Sequence, residues 1–276
     1  MSKKQKVNSL CAYFQYSRAA YYKSLQERES VCFSESLILE AVFRERHLQP
    51  RLGGRKLYWM LRTDIHRITP HFGRDKFFNL LRSHDLLVER KGKYCKTTNS
   101  YHHFHKYANR VKDFILSGPN QAWACDITYL RTEKGFVYLS LLTDMYSRKI
   151  VGWRLSESLS IEGSLTALKK ALKENPLRRS LIHHSDRGVQ YCSHEYVKLS
   201  KKNKIDISMT EGNHCYENAL AERVNGILKD EYLLDATFRD FAHAKNACKE
   251  AVELYNTRRP HLSLKYNTPC QVHHAA

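Results

Sequence analysis

Gln121-Ala122-Trp123-Ala124-Cys125-Asp126-Ile127-Thr128-Tyr129-Leu130 is an apolar and aromatic run with one carboxylate near its middle. Its length and composition predict a strand. Two similar runs follow, Gly135-Phe136-Val137-Tyr138-Leu139-Ser140-Leu141-Leu142 and Lys149-Ile150-Val151-Gly152-Trp153-Arg154-Leu155. The turns between them are short, which favours antiparallel neighbours, so the three predict a meander. Beyond them the period changes. Residues 161–174 read as a helix stopped by Asn175-Pro176, 180–184 as a strand, 195–202 as a helix and 205–209 as a strand. Two more helices are expected over roughly 216–232 and 239–256.

Three strands, helix, strand, helix, strand, helix is the order of the ribonuclease H fold. The expected core is therefore an α/β one, a mixed five-stranded sheet with flanking helices. Upstream, the chain reads as all-α and DNA-binding. Residues 1–34 suggest a helix-turn-helix, with short helices at 7–14 and 18–23 and Ser17 as the N-cap of the second. Residues 35–88 carry three amphipathic segments, with Gly53-Gly54 and Pro70 as breakers. Residues 89–118 are basic and aperiodic in their first part, and read as an exposed linker that is either mobile or tracks DNA. Residues 119–276 complete the plan as the catalytic core with C-terminal helices.

The net charge of +18 is unevenly placed. Residues 1–112 hold 23 Lys+Arg and 9 Asp+Glu, a balance of +14; residues 113–276 hold 23 and 19, a balance of +4. Nucleic acid is the default polyanion for the first part. Arg51, Arg55, Lys56, Arg74, Lys91, Lys93 and, further on, Lys229 are its candidate DNA contacts. The eight cysteines include no Cys-x-x-Cys pair, which argues for reduced thiols rather than a zinc ribbon or a disulfide scaffold. Cys95 with His102, His103 and His105 lacks a second paired ligand, so zinc is not expected there. No apolar run is long enough for a membrane span and no signal peptide is evident, which predicts a cytoplasmic protein.

Three carboxylates carry the chemistry. Asp126 sits inside an apolar strand, where a lone carboxylate is costly to bury, and a metal ion is the natural partner. Asp186 follows the fourth strand in His184-Ser185-Asp186-Arg187-Gly188, at the carboxyl end where α/β sheets build their sites. Alone it would read as a turn residue. At about 100° per residue, Leu220, Val224, Ile227 and Leu228 form the buried stripe of the following helix, and Glu222 points away from it with Asn218, Asn225 and Lys229. Together, Asp126, Asp186 and Glu222 can hold two Mg²⁺ ions about 3.5–4 Å apart, with Mn²⁺ as a substitute, for phosphoryl transfer.

The chain resembles insertion-sequence transposases of the IS-three family, in particular their integrase-like subunit. The matching stretches are residues 119–129, Ser147-Arg148-Lys149-Ile150-Val151-Gly152-Trp153, 183–191, 216–229, and Tyr255-Asn256 with Arg259-Pro260-His261 and Thr268-Pro269. The 35 residues between Asp186 and Glu222 are the spacing typical of this DDE class. Glu217 stands where many relatives have Asp; it lies about 140° round the helix from Glu222, which makes it a weak rival for metal. The resemblance implies an enzyme that nicks element ends and joins the freed 3′-hydroxyl to another phosphodiester. It implies terminal inverted repeats and target DNA as partners, a homo-oligomer at work, an upstream helix-turn-helix protein or fusion, and action at the bacterial nucleoid. The competing readings are a non-catalytic DNA-binding regulator and a ribonuclease H-like nuclease acting on RNA–DNA hybrids.

Overall fold

A computed structural model describes residues 3–89, 104–175, 180–211 and 218–275. Lys91, Lys93, Cys95, His102, His103 and Glu217 lie outside the described residues. The chain divides into two compact units, Met1–Leu48 with Leu52–Val88, and Gln49–Arg51 with Glu89–Ala276.

The smaller unit is helical: α1 (Lys3–Tyr13), α2 (Arg18–Leu48), α3 (Gly54–Ile68) and α4 (Arg74–Ser83). Ser17 caps α2 as its sequence predicts, its Oγ accepting from the Ala20 N–H at 3.0 Å. The short second helix expected at 18–23 is instead the start of a 31-residue helix, and the expected boundary at 34/35 falls inside it. No glycine or proline lies between Arg18 and Leu48, so nothing stops helix propagation there. Ile38 and Val42 of α2 pack with Leu57, Leu61, Ile65, Phe77 and Leu81 in this unit's core.

In the larger unit, β1 (Ala122–Thr132), β2 (Gly135–Asp144) and β3 (Ile150–Ser156) form the expected antiparallel meander. Then come α5 (Ile161–Glu174), β4 (Leu181–Ser185), α6 (Val189–Cys192), α7 (His194–Lys202) and β5 (Ile205–Met209). The chain continues through α8 (Ala219–Glu231), β6 (Thr237–Phe238), α9 (Phe241–Thr257) and α10 (Pro269–His274). The sheet order is β3-β2-β1-β4-β5, with β4 parallel to both β1 and β5, and the two-residue β6 paired to the far end of β1. This is the expected ribonuclease H-like core, with one short strand more than the five read from sequence.

Strand alternation splits the core between the two faces. Leu130, Leu139 and Leu141 pack against Val224 and Leu228 of α8 and Val252 and Tyr255 of α9. Trp123, Cys125, Leu142 and Val151 pack against Ala167, Leu168 and Ala171 of α5 and Tyr196 of α7. Gly152 lets α5 come close: a Cβ there would lie 2.6 Å from the Ala171 Cβ and 2.7 Å from the Ala167 carbonyl oxygen.

The segment expected as a linker extends to residue 118, but its described part belongs to this unit. Phe104 and Tyr107 pack against the Trp123 cluster. The Arg110 N–H donates to Ser208 Oγ at 2.8 Å and the Asn109 N–H to Glu211 Oε1 at 3.1 Å, while the Arg110 guanidinium lies 3.7 Å from Asp206. The two aromatic side chains and the edge position of β5 account for the docking: apolar area is buried and an open strand edge is covered.

A buried polar cluster fastens the C-terminus to the β2–β3 turn. Asp144 is fully buried and accepts from the N–H of Asn120 (2.7 Å), the N–H of Ser147 (2.7 Å) and the Ser147 hydroxyl (2.6 Å). His273 Nδ1 of α10 lies 2.9 Å from Ser147 Oγ and 3.8 Å from Asp144. Burial by itself would raise the Asp144 pKa, but the bonds from His273, Ser147 and Asn120 outweigh it and hold the carboxyl below its usual range. A depressed folded pKa adds stability that is present above the unfolded value of about 3.9 and disappears as pH falls through the folded value. Asp144→Asn is therefore expected to cost about 1–3 kcal/mol at pH 7, with the gap to wild type narrowing as pH drops below about 4. Urea unfolding at pH 7 and pH 3.5 measures both; a gap that grows in acid contradicts the assignment.

Candidate active site

The β1–β4 ladder ends on the Cys125–Ser185 rung. The next residue on each side is a carboxylate, Asp126 on β1 and Asp186 just past β4. Parallel register thus sets their Cα atoms about one strand spacing apart, ~5 Å. Asp126 has the parity of Leu130 and so faces α8 and α9. Its Oδ1 accepts from the Ile127 N–H at 2.9 Å and its Oδ2 from Asn225 Nδ2 at 2.7 Å. Its pKa is pushed up to about 7, chiefly by burial, then by the Asp186 charge and, less, by Glu222; the Ile127 and Asn225 bonds oppose the rise. Crowded negative charge around a carboxyl held by only two donors is an arrangement that a cation relieves.

Asp186 is fixed by its own loop. The Gly188 N–H donates to Asp186 Oδ1 at 3.0 Å. A Cβ on residue 188 would itself come within 3.0 Å of that oxygen, so glycine is what fits beside the carboxylate. Arg187 ties the loop to the end of β5, donating to the carbonyl oxygens of Thr210 (2.6 Å) and Glu211. The neighbouring histidines pair with other side chains. His183 is buried, its Nε2 lies 2.8 Å from the Tyr196 hydroxyl, and its pKa is pushed down to about 3 by burial. His184 Nδ1 pairs with Ser208 Oγ at 2.9 Å.

Asn218, Glu222 and Asn225 follow the i, i+4, i+7 rhythm of one helix face. Asn218 Nδ2 donates to the Cys125 carbonyl at 3.2 Å, and Asn225 reaches Asp126. The polar face of α8 therefore lies along β1 at the carboxylate, with Glu222 between its two asparagines. The sequence places both asparagines on that face; it does not reveal that they bond to β1. Among the described residues, the buried Oδ1 atoms of Asn218 and Asn225 have no hydrogen-bond partner. Lys229 is half-buried on the same face; burial lowers its pKa and the Asp126 and Asp235 charges oppose that. The Glu222 residue is exposed. Among the described residues, no three His, Cys, Asp or Glu side chains are gathered to hold one metal ion. The structure thus brings Asp126 and Asp186 together, with Glu222 in electrostatic reach but short of a closed ligand set.

The candidate DNA contacts fare unevenly. Arg55 and Arg74 are exposed, and Arg74 pairs with Asp75 at 3.0 Å. Arg51 donates to the Glu89 carbonyl at 3.1 Å. Lys56 is a correction: it is buried, on the inward stripe of α3 with Leu57, and is not presented to a polyanion. Its neighbour Arg55 points out; one helical step of about 100° separates the two fates. No helix among the described residues is long and apolar enough to cross a membrane.

Two family models described as "Integrase core domain" match residues 117–215 and 203–269. The insertion element IS600 uncharacterized 31 kDa protein of Shigella sonnei is 32% identical over 264 residues, 94% of this chain and 96% of that protein. The transposase InsF for insertion sequence IS3A of Escherichia coli (strain K12) is 31% identical over 233 residues, 82% of this chain and 78% of that protein. A chain in the cryoEM structure of the simian T-cell lymphotropic virus intasome in complex with PP2A regulatory subunit B56 gamma is similar in fold. It has a TM-score of 0.51 at 20% identity, covering 76% of this chain and 70% of that one. Identity of 31–32% to insertion-element proteins over 82–94% of the chain, the two integrase-core matches and the strand order described above agree: the chain belongs to the IS-three family of insertion-sequence transposases.

Proposed function

We propose that this chain cleaves DNA at the terminal inverted repeats of an insertion sequence and joins the freed 3′-hydroxyl to target DNA, with Asp126, Asp186 and Glu222 as its metal-holding carboxylates. One observation carries the reading. Two aspartates emerge from adjacent parallel strands at the same level, and their mutual repulsion, added to burial, lifts the Asp126 pKa to about 7. Two bound Mg²⁺ ions, or Mn²⁺ in their place, would activate the attacking hydroxyl and neutralise the leaving oxygen. The chain's own residues prepare that site. Asn225 orients Asp126, Gly188 and Arg187 fix Asp186, and α8 carries Glu222 alongside. Lys229, whose charge interacts with that of Asp126, would meet a phosphate of the bound strand. Joining two ends calls for at least two copies at work, and an upstream helix-turn-helix protein or fusion is a further partner.

Metal binding is read without DNA. Mg²⁺ at a hundredfold excess over its dissociation constant is expected to stabilise the protein by about 2.7 kcal/mol. For a unit of this size that is roughly 5–10 °C in Tm. Asp126→Asn and Asp186→Asn are expected to lose the shift. A flat Tm in both Mg²⁺ and Mn²⁺, with metal-independent cleavage of inverted-repeat DNA, would remove the metal from the proposal.

A further inference from the structure

One face of the sheet carries aromatic rings that its core does not use. Along β1 the side chains of Cys125, Ile127, Tyr129 and Arg131 share one parity and point to the side of α5 and α7. Ile127 packs into the Trp123 cluster, and its neighbour on β2, Ser140, meets Ser164 of α5 with the two Oγ atoms 3.3 Å apart. Past that level the register sets Tyr138 opposite Tyr129 and Phe136 opposite Arg131. Tyr129 and Tyr138 are half-buried and Phe136 is 53% exposed. Among the described residues, neither core cluster of this unit takes in any of the three. They pack on one another, with ring centroids 5.1 Å apart for Tyr129 and Tyr138 and 6.3 Å apart for Tyr129 and Phe136, both edge-to-face. Rings left in water near the tip of a hairpin mark a contact surface rather than a core.

The neighbourhood identifies the occupant. Tyr129 follows Asp126 by three residues, about 10 Å along the strand. Burial raises its pKa most, followed by the charges of Tyr138, Asp126 and Asp186, so its hydroxyl is within electrostatic reach of both carboxylates. Asp126 itself points to the other face of the sheet. Between the Cys125–Ser185 rung and the β6 contact at Arg131, β1 has no strand beside it on that edge among the described residues. An open edge, one backbone thick, therefore separates the carboxylates from the rings. Arg131 and Lys134 are exposed at the same hairpin, against one acid, Glu133, and the Arg131 guanidinium carbon lies 5.7 Å from the Phe136 ring centroid. Rings for base faces, cations for the phosphates between them and a place beside the reacting centre are the parts of a single-strand platform. We propose that Tyr129, Tyr138 and Phe136 stack the unpaired bases of the DNA strand that flanks the scissile phosphate. Taking a base out of a duplex is costly, and a surface that receives it offsets the cost. Ring faces accept any base, so the platform favours an opened end and not a particular sequence.

The proposal rests on the DNA-cleaving reading, but it is measured on the full chain without metal and without turnover. The probe is a terminal inverted-repeat duplex with unpaired 3′ bases that carry 5-iodouracil, which crosslinks on irradiation to an aromatic ring stacked on it. Mass spectrometry of the crosslinked peptide is expected to find Tyr129, Tyr138 or Phe136. Phe136→Ser and Tyr129→Leu are each expected to lower the crosslink yield at least about fivefold, and Tyr129→Phe, which keeps the ring, to stay within about twofold of wild type. Affinity for fully paired DNA, read by fluorescence anisotropy, should stay within about twofold in all three, because most of the cationic surface is elsewhere. Phe136 is exposed, so Phe136→Ser should keep the wild-type circular dichroism even where Tyr129→Leu disturbs the strand. Crosslinks confined to other residues, or a yield indifferent to Phe136→Ser, overturn the platform. So does a fully paired probe that crosslinks as well as the opened one, or a loss of paired-DNA binding as large as the loss of crosslinking. Crosslinking as described by a wild-type chain that cleaves nothing in Mg²⁺ or Mn²⁺ would count against the catalytic reading alone.

Discussion

Asp126→Asn is expected to lower strand cleavage by on the order of 10³-fold or more while leaving the fold at least as stable as wild type at pH 7.5 without metal. The activity loss follows from removing a charged oxygen ligand where negative charge develops in the transition state. The stability follows from a sign. The Asp126 pKa is raised to about 7 in the folded chain, against an unfolded value of about 3.9. The folded state therefore holds its proton longer. Between those two values the unfolded state ionises first, and the fold loses stability as pH rises. An amide removes that loss and, through its one oxygen, keeps an acceptor for Asn225 Nδ2 while giving up the one that the Ile127 N–H used, a smaller cost than the burial of a charge. Asp186→Asn and Glu222→Gln are expected to match the activity loss. DNA affinity, read by fluorescence anisotropy, should stay within about threefold for all three, because most of the cationic surface is elsewhere. Full cleavage by any one variant takes that residue out of the site. A severe loss of stability in Asp126→Asn would mean that the carboxylate is a structural anchor instead.

Arg259→Leu is expected to cost about 3–5 kcal/mol, the usual result of removing one partner from a buried ion pair. Its guanidinium is 2% exposed and grips Glu231 with two bonds, Nε to Oε2 at 2.7 Å and Nη2 to Oε1 at 2.8 Å. Nη1 lies 2.9 Å from His261 Nε2. Burial lowers the Arg259 pKa, but the Glu231 carboxylate more than compensates and the net direction is up. Without Arg259 the Glu231 carboxylate, 14% exposed, loses both of these bonds. At roughly 2–4 °C per kcal/mol, Tm should fall by about 6–20 °C, and Arg259→Leu with Glu231→Gln should recover part of it. The site should feel the change as well. Glu231 is the last residue of α8, the helix that carries Glu222 and Asn225. A drop under about 1 kcal/mol in thermal unfolding would show that the pair contributes little.

Much of this architecture could be read along the chain, for identifiable reasons. The meander was legible because its turns are too short for crossovers, and α5 because Asn175 ends it. Ser17 marks the start of α2, and the helix runs on because no residue between 24 and 34 breaks it. The two-residue β6 is too short to carry a period. The helix α10 had a readable signal in Thr268-Pro269 and Gln271, whose capping box the structure contains. Tyr255, Asn256 and Arg259 stand in one of the stretches that carry the family resemblance, and their contacts are structural. Asn256 pairs with both the N–H and the carbonyl of Ile150, and the Tyr255 hydroxyl donates to the Arg148 carbonyl.

Local order, then, was a property of the chain itself: turn lengths, caps and the alternation of apolar residues act over a few residues and leave their mark in sequence. The presence of a carboxylate in an apolar strand, and of a polar face on the helix bearing Glu222, also needed nothing more. Tertiary structure alone decided which of those groups meet. The register of β1 on β4 sets Asp126 beside Asp186, and the seating of α8 turns Asn225 onto Asp126 while leaving Glu222 exposed. It also buried Lys56, docked residues 104–111 on β5 and left Phe136 bare. The physical reason is range: propensity is summed along neighbours, whereas burial and electrostatic coupling depend on distances that only packing between remote segments creates.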